Sequence, residues 1–398
     1  MSMRHIYSVF MVKAISISAM LLVAIPTFAI RITHGPYICD MDSTSTTIVW
    51  FTDKPGLSWV ELAEAGGPDH FYGKERNKYF ATRRGRKLAA DTLHRVRING
   101  LRPDCLYRYR IFTKEMKQWR WNNNITYGDI ASSTVYKREP YTFKTYPAGV
   151  RDVSFLVLND IHERATDLKK MCKDIDFSKL DFVLLNGDMS NYVGTSAQIF
   201  KGYIDTLVSM CVKYIPVFMC RGNHETRGAF ADKLWDFFPT ANGEFYRVQH
   251  VAGIDFLIID SGEDKPDNDI EYGEISNFDA YREEQARWLA QLKKDGRIGK
   301  YPVVVFCHIP PLLQNWHGCY HLNNTILPEL NRMNVSLMLS GHLHRNDYQA
   351  PGETMNFPCL VNSNMSYLLC YTKNGRLEVE RSEENGKNKK HFIFELKH

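Results

Sequence analysis

Six segments, at residues 153–159, 181–186, 214–219, 254–260, 301–306 and 335–340, are near-continuous apolar runs. Runs of that length and uniformity suit strands covered on both faces. Polar or amphipathic stretches of helical length separate them, as at 278–294, so the pattern predicts an α/β domain. Beyond Cys359 the chain returns to strand-like segments, including 392–396, with an Asn374-Gly375 turn between them. Residues 31 to about 147 follow a different rule. Segments 46–52, 58–62, 94–98 and 106–112 alternate in polarity or nearly so, turns divide them, and no convincing amphipathic helix intervenes, which predicts a β-sandwich. Residues 118–126 look inserted before the last strand of that region, near 141–145. They read as an exposed hairpin in preference to a loop reaching for a partner.

The first thirty residues stand apart. Arg4 and Lys13 precede an apolar run from 14 to 30 that ends near Ala29. This is the layout of a secretory signal peptide, expected over 1–29, and the run is slightly short for a membrane anchor of roughly 20 apolar residues. The mature protein is therefore expected outside the cytosol, periplasmic or secreted, with no stable membrane span after cleavage. The 398 residues suffice for two domains, and the 44% hydrophobic and 24% charged content is that of an ordinary folded protein. Loss of Arg4 and Lys13 lowers the formal net charge from +5 to +3, which excludes an argument for nucleic-acid binding from bulk charge. The nine cysteines are odd in number, form no Cys-x-x-Cys zinc pattern and define no disulfide framework. Cys220 and Cys307 sit in apolar runs and read as small buried hydrophobes.

Most of the apolar runs end in residues that bind metals. The first gives Asp160-Ile161-His162, the second Gly187-Asp188, the third Gly222-Asn223-His224-Glu225, the fifth His308, and the sixth Gly341-His342-Leu343-His344. Loops after the carboxyl ends of strands are where α/β sheets gather ligands. Each residue alone has an ordinary alternative: Asp160 a cap, Gly187-Asp188 a turn, Asn223 an Asx turn, His308 a satisfied half-buried imidazole. Five such segments in a fixed order rarely arise from unrelated structural roles.

In that order, Asp-x-His, Gly-Asp, Gly-Asn-His-Glu, a lone His and Gly-His-x-His resemble the motifs of the calcineurin-like metallophosphoesterase superfamily, across about 153–361. Residues 101–110 resemble the leucine–proline–tyrosine corner of fibronectin type III-like domains, and the combined layout is similar to that of purple acid phosphatases. The resemblance implies a fibronectin type III-like sandwich over 30–147 and a metallophosphoesterase domain over 148–398, with mixed sheets packed together and flanked by helices. It implies two metal ions: Asp160, His162 and His344 holding one, Asn223, His308 and His342 the other, with Asp188 bridging. Imidazole and carboxylate ligands suit Mn, Fe, Zn or Co alike. A metal-bridging hydroxide would attack phosphorus in line, and His224 would stabilise charge or protonate the leaving oxygen, its alternative being an orienting role. One departure from purple acid phosphatases stands out. His162 replaces a non-histidine, and the place of their tyrosine ligand holds Asn191, with Tyr192 one step later. A colourless Asp/His site is expected.

The expected activity is phosphatase or phosphodiesterase action on a phosphorylated substrate. The alternatives are a nucleotide or sugar-nucleotide pyrophosphohydrolase and, in another class, a catalytically inactive extracytoplasmic binding protein. Asp260 is expected to be structural. Arg221 faces either the phosphate cleft or a local ion pair, His317 is a second cleft candidate, and the loop 316–318 is the expected place of substrate contacts.

Overall fold

The computed structural model describes residues 29–66, 71–133, 139–383 and 388–397. The signal segment expected over 1–29 thus lies, except for Ala29, outside the described residues. The N-terminal region comprises β1 (Ile32–Cys39), β2 (Ser45–Glu64), β3 (Asn77–Phe80), β4 (Thr82–Arg83), β5 (Arg86–Lys87), β6 (Asp91–Asn99), β7 (Leu106–Arg120), β8 (Asn124–Ser132) and β9 (Tyr141–Lys144). The segments expected as separate strands at 46–52 and 58–62 are one twenty-residue strand, β2. Its first half pairs with β1 and β6, and its second half with β3 and β7. The Lys54-Pro55-Gly56 turn signal is overridden because the pairing slips there, between Phe51 and Gly56, and proline is tolerated at such an irregularity. The two halves fold over one core in which Ile48, Trp50, Val96 and Ile98 meet Val60, Tyr109 and Ile111. The Trp50 indole N–H donates to Thr113 Oγ1 across it, at 2.9 Å. The expected tyrosine corner is present: the Arg102 backbone N–H donates to the Tyr107 hydroxyl at 2.8 Å. Residues 118–126 are, as expected, a hairpin, formed by the ends of β7 and β8.

The second region contains β10 (Ser154–Leu158), β11 (Phe182–Asn186), β12 (Val217–Cys220), β13 (Arg247–Val251), β14 (Ile254–Ile259), β15 (Val303–Cys307), β16 (Val335–Ser340), β17 (Asp347–Gln349), β18 (Cys359–Val361), β19 (Ser366–Lys373), β20 (Arg376–Glu383) and β21 (Lys390–Glu395). They form two six-stranded sheets, ordered β12-β11-β10-β19-β20-β21 and β13-β14-β15-β16-β18-β17. All six apolar runs are strands, and the reason for their uniformity is visible. Alternate residues of β10 and β11 (Phe155, Val157, Phe182, Leu184) pack between the sheets against Phe256, Val304, Phe306 and Leu339. The intervening Leu156, Leu158, Val183 and Leu185 pack outward on Leu168, Met171, Ile199 and Leu207. On the other side Leu257, Ile259, Val303 and Val305 meet Leu289 and Leu292 of the helix Phe278–Lys294. Both faces are covered, so apolar residues are favoured at either register position.

Sequence reading missed β13, whose burial alternates and whose partner β14 follows through Ala252 and Gly253, both at positive φ. It found the C-terminal hairpin: Asn374 and Gly375, at φ 51° and 76°, supply the left-handed backbone that joins β19 to β20. β19 lies antiparallel beside β10 at the middle of its sheet. Among the described residues no helix is long and apolar enough to cross a membrane. All nine cysteines are free, and all but Cys105 are buried.

The two regions are fused. Tyr37, Val49 and Phe51 share a core with Phe237 and Phe238. The His34 ring stacks on Phe200 at 3.6 Å, and its Nδ1 lies 2.9 Å from Asp205. Hydroxyls of Tyr37, Tyr109 and Tyr146 donate to the carbonyls of Phe237, Lys213 and Asp181.

His94 reports on the sandwich. It is buried beside Trp50, 2.7 Å from the Thr52 hydroxyl, and burial pushes its pKa down to about 4. The unfolded chain protonates it near the usual value of about 6.5. The native fold therefore binds fewer protons between these values, and stability should fall as pH drops from about 6.5 to 4, by on the order of 3 kcal/mol. Urea denaturation across that pH range should show a steeper loss for the wild type than for His94→Gln. Parallel curves would refute the assignment.

Candidate metal centre

Five loops at the carboxyl ends of β10, β11, β12, β15 and β16 bring all seven expected ligands together. Asp160, His162 and His344 form one group and Asp188, His308 and His342 another, and within each group the candidate ligand atoms lie within 4.8 Å of one another. Asn223 joins the second group through Oδ1, 2.9 Å from His342 Nδ1.

The unshared electron pairs converge. Asp160 Oδ2 accepts from the Asn159 amide at 2.6 Å and the His342 backbone N–H at 2.9 Å. Its Oδ1 is buried with no hydrogen bond, 3.3 Å from His344 Nε2 and 3.8 Å from His162 Nε2. Those two imidazole nitrogens face each other at 3.0 Å. Asp188 Oδ1 accepts from the His224 backbone N–H, while Oδ2 is buried without a hydrogen bond, 3.0 Å from His308 Nε2. A neutral His308 ring that donates Nδ1–H to the Asn186 carbonyl, at 2.7 Å, leaves the Nε2 lone pair facing Asp188. Buried polar atoms without partners are costly and rare. Acceptors gathered around common points, with nitrogen and oxygen donors suited to transition metals, are what a cation would resolve. The residues fit a metal pair.

The electrostatics agree. Burial opposes charging of His308, yet the Asp188 carboxylate raises its pKa to about 10. Burial would raise Asp188, but His308, His224 and His342 outweigh it and hold the carboxyl well below the usual range. Burial, then the neighbouring His308, pushes His342 down to about 4. The Asp160 carboxylate beside it raises His344 despite partial burial. Without a cation, one imidazole is recruited to neutralise the buried carboxylates.

Backbone strain marks the same residues. Asp160, His162, Asp188, His342 and His344 all have positive φ, between 48° and 68°. Each such residue costs roughly 1–2 kcal/mol, and a concentration of them signals a site held by its surroundings. Gly187, at φ 85°, leaves no room for a Cβ, which would collide with the His308 ring. A Cβ on Gly222 would strike Asp188.

What holds these loops was only partly legible. Glu225 is fully buried, and its carboxylate accepts the backbone N–H groups of Asp188 at 2.7 Å, Ser190 at 2.8 Å and Gly222 at 3.0 Å. Burial and the nearby Asp188 raise its pKa to about 7. Its place in Gly-Asn-His-Glu was a signal that sequence reading left without a role. Asn159 and Asn362 bond each other across the sheet, and Asn159 also bonds Asp160. No local pattern announces a partner 203 residues away. Asp264 lies 4.0 Å from His342 Nε2 and takes the Tyr272 hydroxyl.

His224 enters as expected: its Nδ1 is 2.7 Å from the Asn191 carbonyl, and its Nε2 is 3.8 Å from Asp188 Oδ2. The other cleft candidates make contacts of their own. Arg221 makes the local ion pair, 2.8 Å from the structural Asp260. His317 is 2.9 Å from Asp279, and with Gly318 it opens the helix His317–Thr325, so 316–318 is no free loop. The Asn191 side chain turns to the His162 carbonyl, and Tyr192 is half exposed.

Residues 153–346 match the family model described as calcineurin-like phosphoesterase. No curated protein matches the chain. Among solved structures, purple acid phosphatase PPD1 from yellow lupin (Lupinus luteus) seeds is similar with a TM-score of 0.60 at 12% identity, over 90% of this chain and 73% of that one. The protein TT1561 of Thermus thermophilus is matched with a TM-score of 0.35 at 13% identity, over 61% of this chain and 99% of that one.

Glu225→Gln places an amide where three N–H donors need acceptors, so it should destabilise the metal-free protein by about 1–3 kcal/mol. Urea denaturation in chelator measures this, and unchanged stability would show that Glu225 does not pin the loops.

Proposed function

We propose that this chain, whose residues 153–346 form a calcineurin-like phosphoesterase domain on a purple acid phosphatase fold, is a binuclear hydrolase of phosphoesters. Metal-dependent phosphoester hydrolysis is the activity that this domain supports. The observation that carries the binuclear reading is the trio of buried, unpartnered atoms, Asp160 Oδ1, Asp188 Oδ2 and His308 Nε2, each facing further donors. Asp160, His162 and His344 would hold one ion and Asn223, His308 and His342 the other, with Asp188 between them. Two bound transition-metal ions would supply Lewis acidity toward phosphoryl oxygens and lower the pKa of a water.

The chain's own residues do the rest. Asp160 Oδ2 is tied down by Asn159 and the His342 N–H, so its other oxygen is aimed without rotational freedom. The Asn186 carbonyl sets the His308 tautomer, and Glu225 fixes the backbone on either side of Asp188. His224 is the group suited to the leaving oxygen. With Nδ1 engaged by the Asn191 carbonyl, a protonated ring presents Nε2–H beside Asp188, partly open to solvent. It can hydrogen-bond a phosphoryl oxygen or give a proton to the departing alcohol. The site opens onto solvent at His344 and His224, the side from which a phosphoester would approach.

Purified protein should hydrolyse p-nitrophenyl phosphate or its bis-ester, and chelator should abolish the reaction. Asp188→Asn and His344→Ala should each remove nearly all activity and lower metal content. His224→Ala should lower kcat by about 10²–10⁴-fold with metal content kept. Full activity in the first two variants would sink the binuclear reading, and loss of metal from the third would make His224 structural. No hydrolysis with any of Mn, Fe, Zn or Co would favour a binding protein.

A further inference from the structure

The N-terminal region carries a second concentration of unusual residues. β4 and β5 form a small hairpin in which Arg83 stands opposite Arg86 and Thr82 opposite Lys87. Like charges directly across a ladder repel. The turn runs through Arg84 and Gly85 at φ 48° and 80°, where asparagine and glycine are favoured and arginine is strained. Arg83, Arg84, Arg86 and Lys87 are all exposed. Among the described residues none of the four has a carboxylate partner, and two meet rings instead: Arg86 lies over Trp119 at 5.3 Å and Lys87 over Phe80 at 3.6 Å.

The hairpin borders a cavity of about 550 Å³ whose apolar wall includes Leu88, Ala89, Leu93 and Trp119. Its carboxylate, Asp91, is engaged by the backbone N–H groups of Thr92 and Leu93, and Arg95 at its edge is already paired with Asp236. Beside it, the β7–β8 hairpin exposes Trp119 to 39% and, two residues on at the turn, Trp121 to 82%. Leu88 is 47% exposed. The charges on β7 and β8 are mixed: Glu115 pairs with Lys54, and Lys117, Arg120 and Asp129 face solvent.

We propose that this face docks on an anionic lipid surface, with Arg83, Arg84, Arg86 and Lys87 against the headgroups and Trp119 and Trp121 at headgroup depth. Unpaired guanidinium forks match phosphate oxygens, and clustered cations gain from the negative surface potential. Indoles favour the boundary between water and hydrocarbon. The combination decides the partner. A duplex or a free polyanion would satisfy the cations but leave the Trp121 ring and Leu88 in water; a single strand could stack a base on Trp121 but would leave Leu88 in water and meet Trp119 with Arg86 already over its ring. An anionic bilayer interface relieves the cation repulsion and covers the exposed indoles and Leu88 together. This surface is independent of the hydrolase reading.

The test uses the full chain with vesicles of phosphatidylcholine, with and without phosphatidylglycerol. Wild-type protein should sediment with the anionic vesicles alone, lose binding as salt rises, and show a blue shift of tryptophan emission. Combined Arg83→Gln, Arg84→Asn, Arg86→Gln and Lys87→Gln changes should weaken binding by at least about tenfold with unaltered thermal unfolding. Trp121→Ser should weaken it several-fold and reduce the blue shift. Equal binding to neutral vesicles, no binding to either, or full binding by the quadruple variant overturns the proposal. Retention of the wild type by heparin or single-stranded DNA without vesicle binding overturns the lipid assignment in favour of another polyanion.

Discussion

The fold of the second domain is organised around a charge problem. Asp160 and Asp188 are fully buried, each with one oxygen that no protein hydrogen bond reaches. Their remaining oxygens are committed to backbone N–H groups of His342 and His224, so each carboxylate is locked to the loop that carries a neighbouring imidazole. A buried carboxylate must be neutralised, and here only imidazoles or an added cation can do it. The raised pKa of His308 is the protein's own answer, and metal binding is the other.

That constraint explains features that look unrelated. Left-handed backbone at five ligands turns side chains back toward the sheet ends, a conformation costly enough to need support on every side. Glu225 gives that support beneath Asp188, and the Asn159–Asn362 pair gives it beneath Asp160. Gly187 and Gly222 let the loops approach until a methyl group would not fit. The central strands behind them, β10, β11, β15 and β16, form a rigid base, since they are packed on both faces.

The N-terminal sandwich is part of the same body. Its β1 lies along the Cys211–Cys220 region, with Ile38 donating to the Val212 carbonyl, and its aromatic residues enter the core behind β12. It therefore buttresses the side of the sheet that carries Asn223 and His224, while its far hairpins stay free for contacts of their own.

The sequence by itself determined the class of both regions and the membership of the candidate metal centre. Period-two alternation and unbroken apolar runs follow directly from whether one or two faces of a strand are covered, and the ligands follow directly after those runs. Strand continuity was not legible, because a Pro-Gly signal at 55–56 marks a turn locally while a slip in the ladder tolerates it within β2. Nor were the roles of Arg221 and His317: a half-buried basic residue and a carboxylate far along the chain meet only when the helix Phe278–Lys294 brings Asp279 beside His317 and packs against the loop of Asp260. Tertiary structure alone decided which acceptor is left unpartnered, since that depends on every donor within reach. The candidate ligand set was written in order along the chain; the electron pairs it leaves exposed were set by the packing around it.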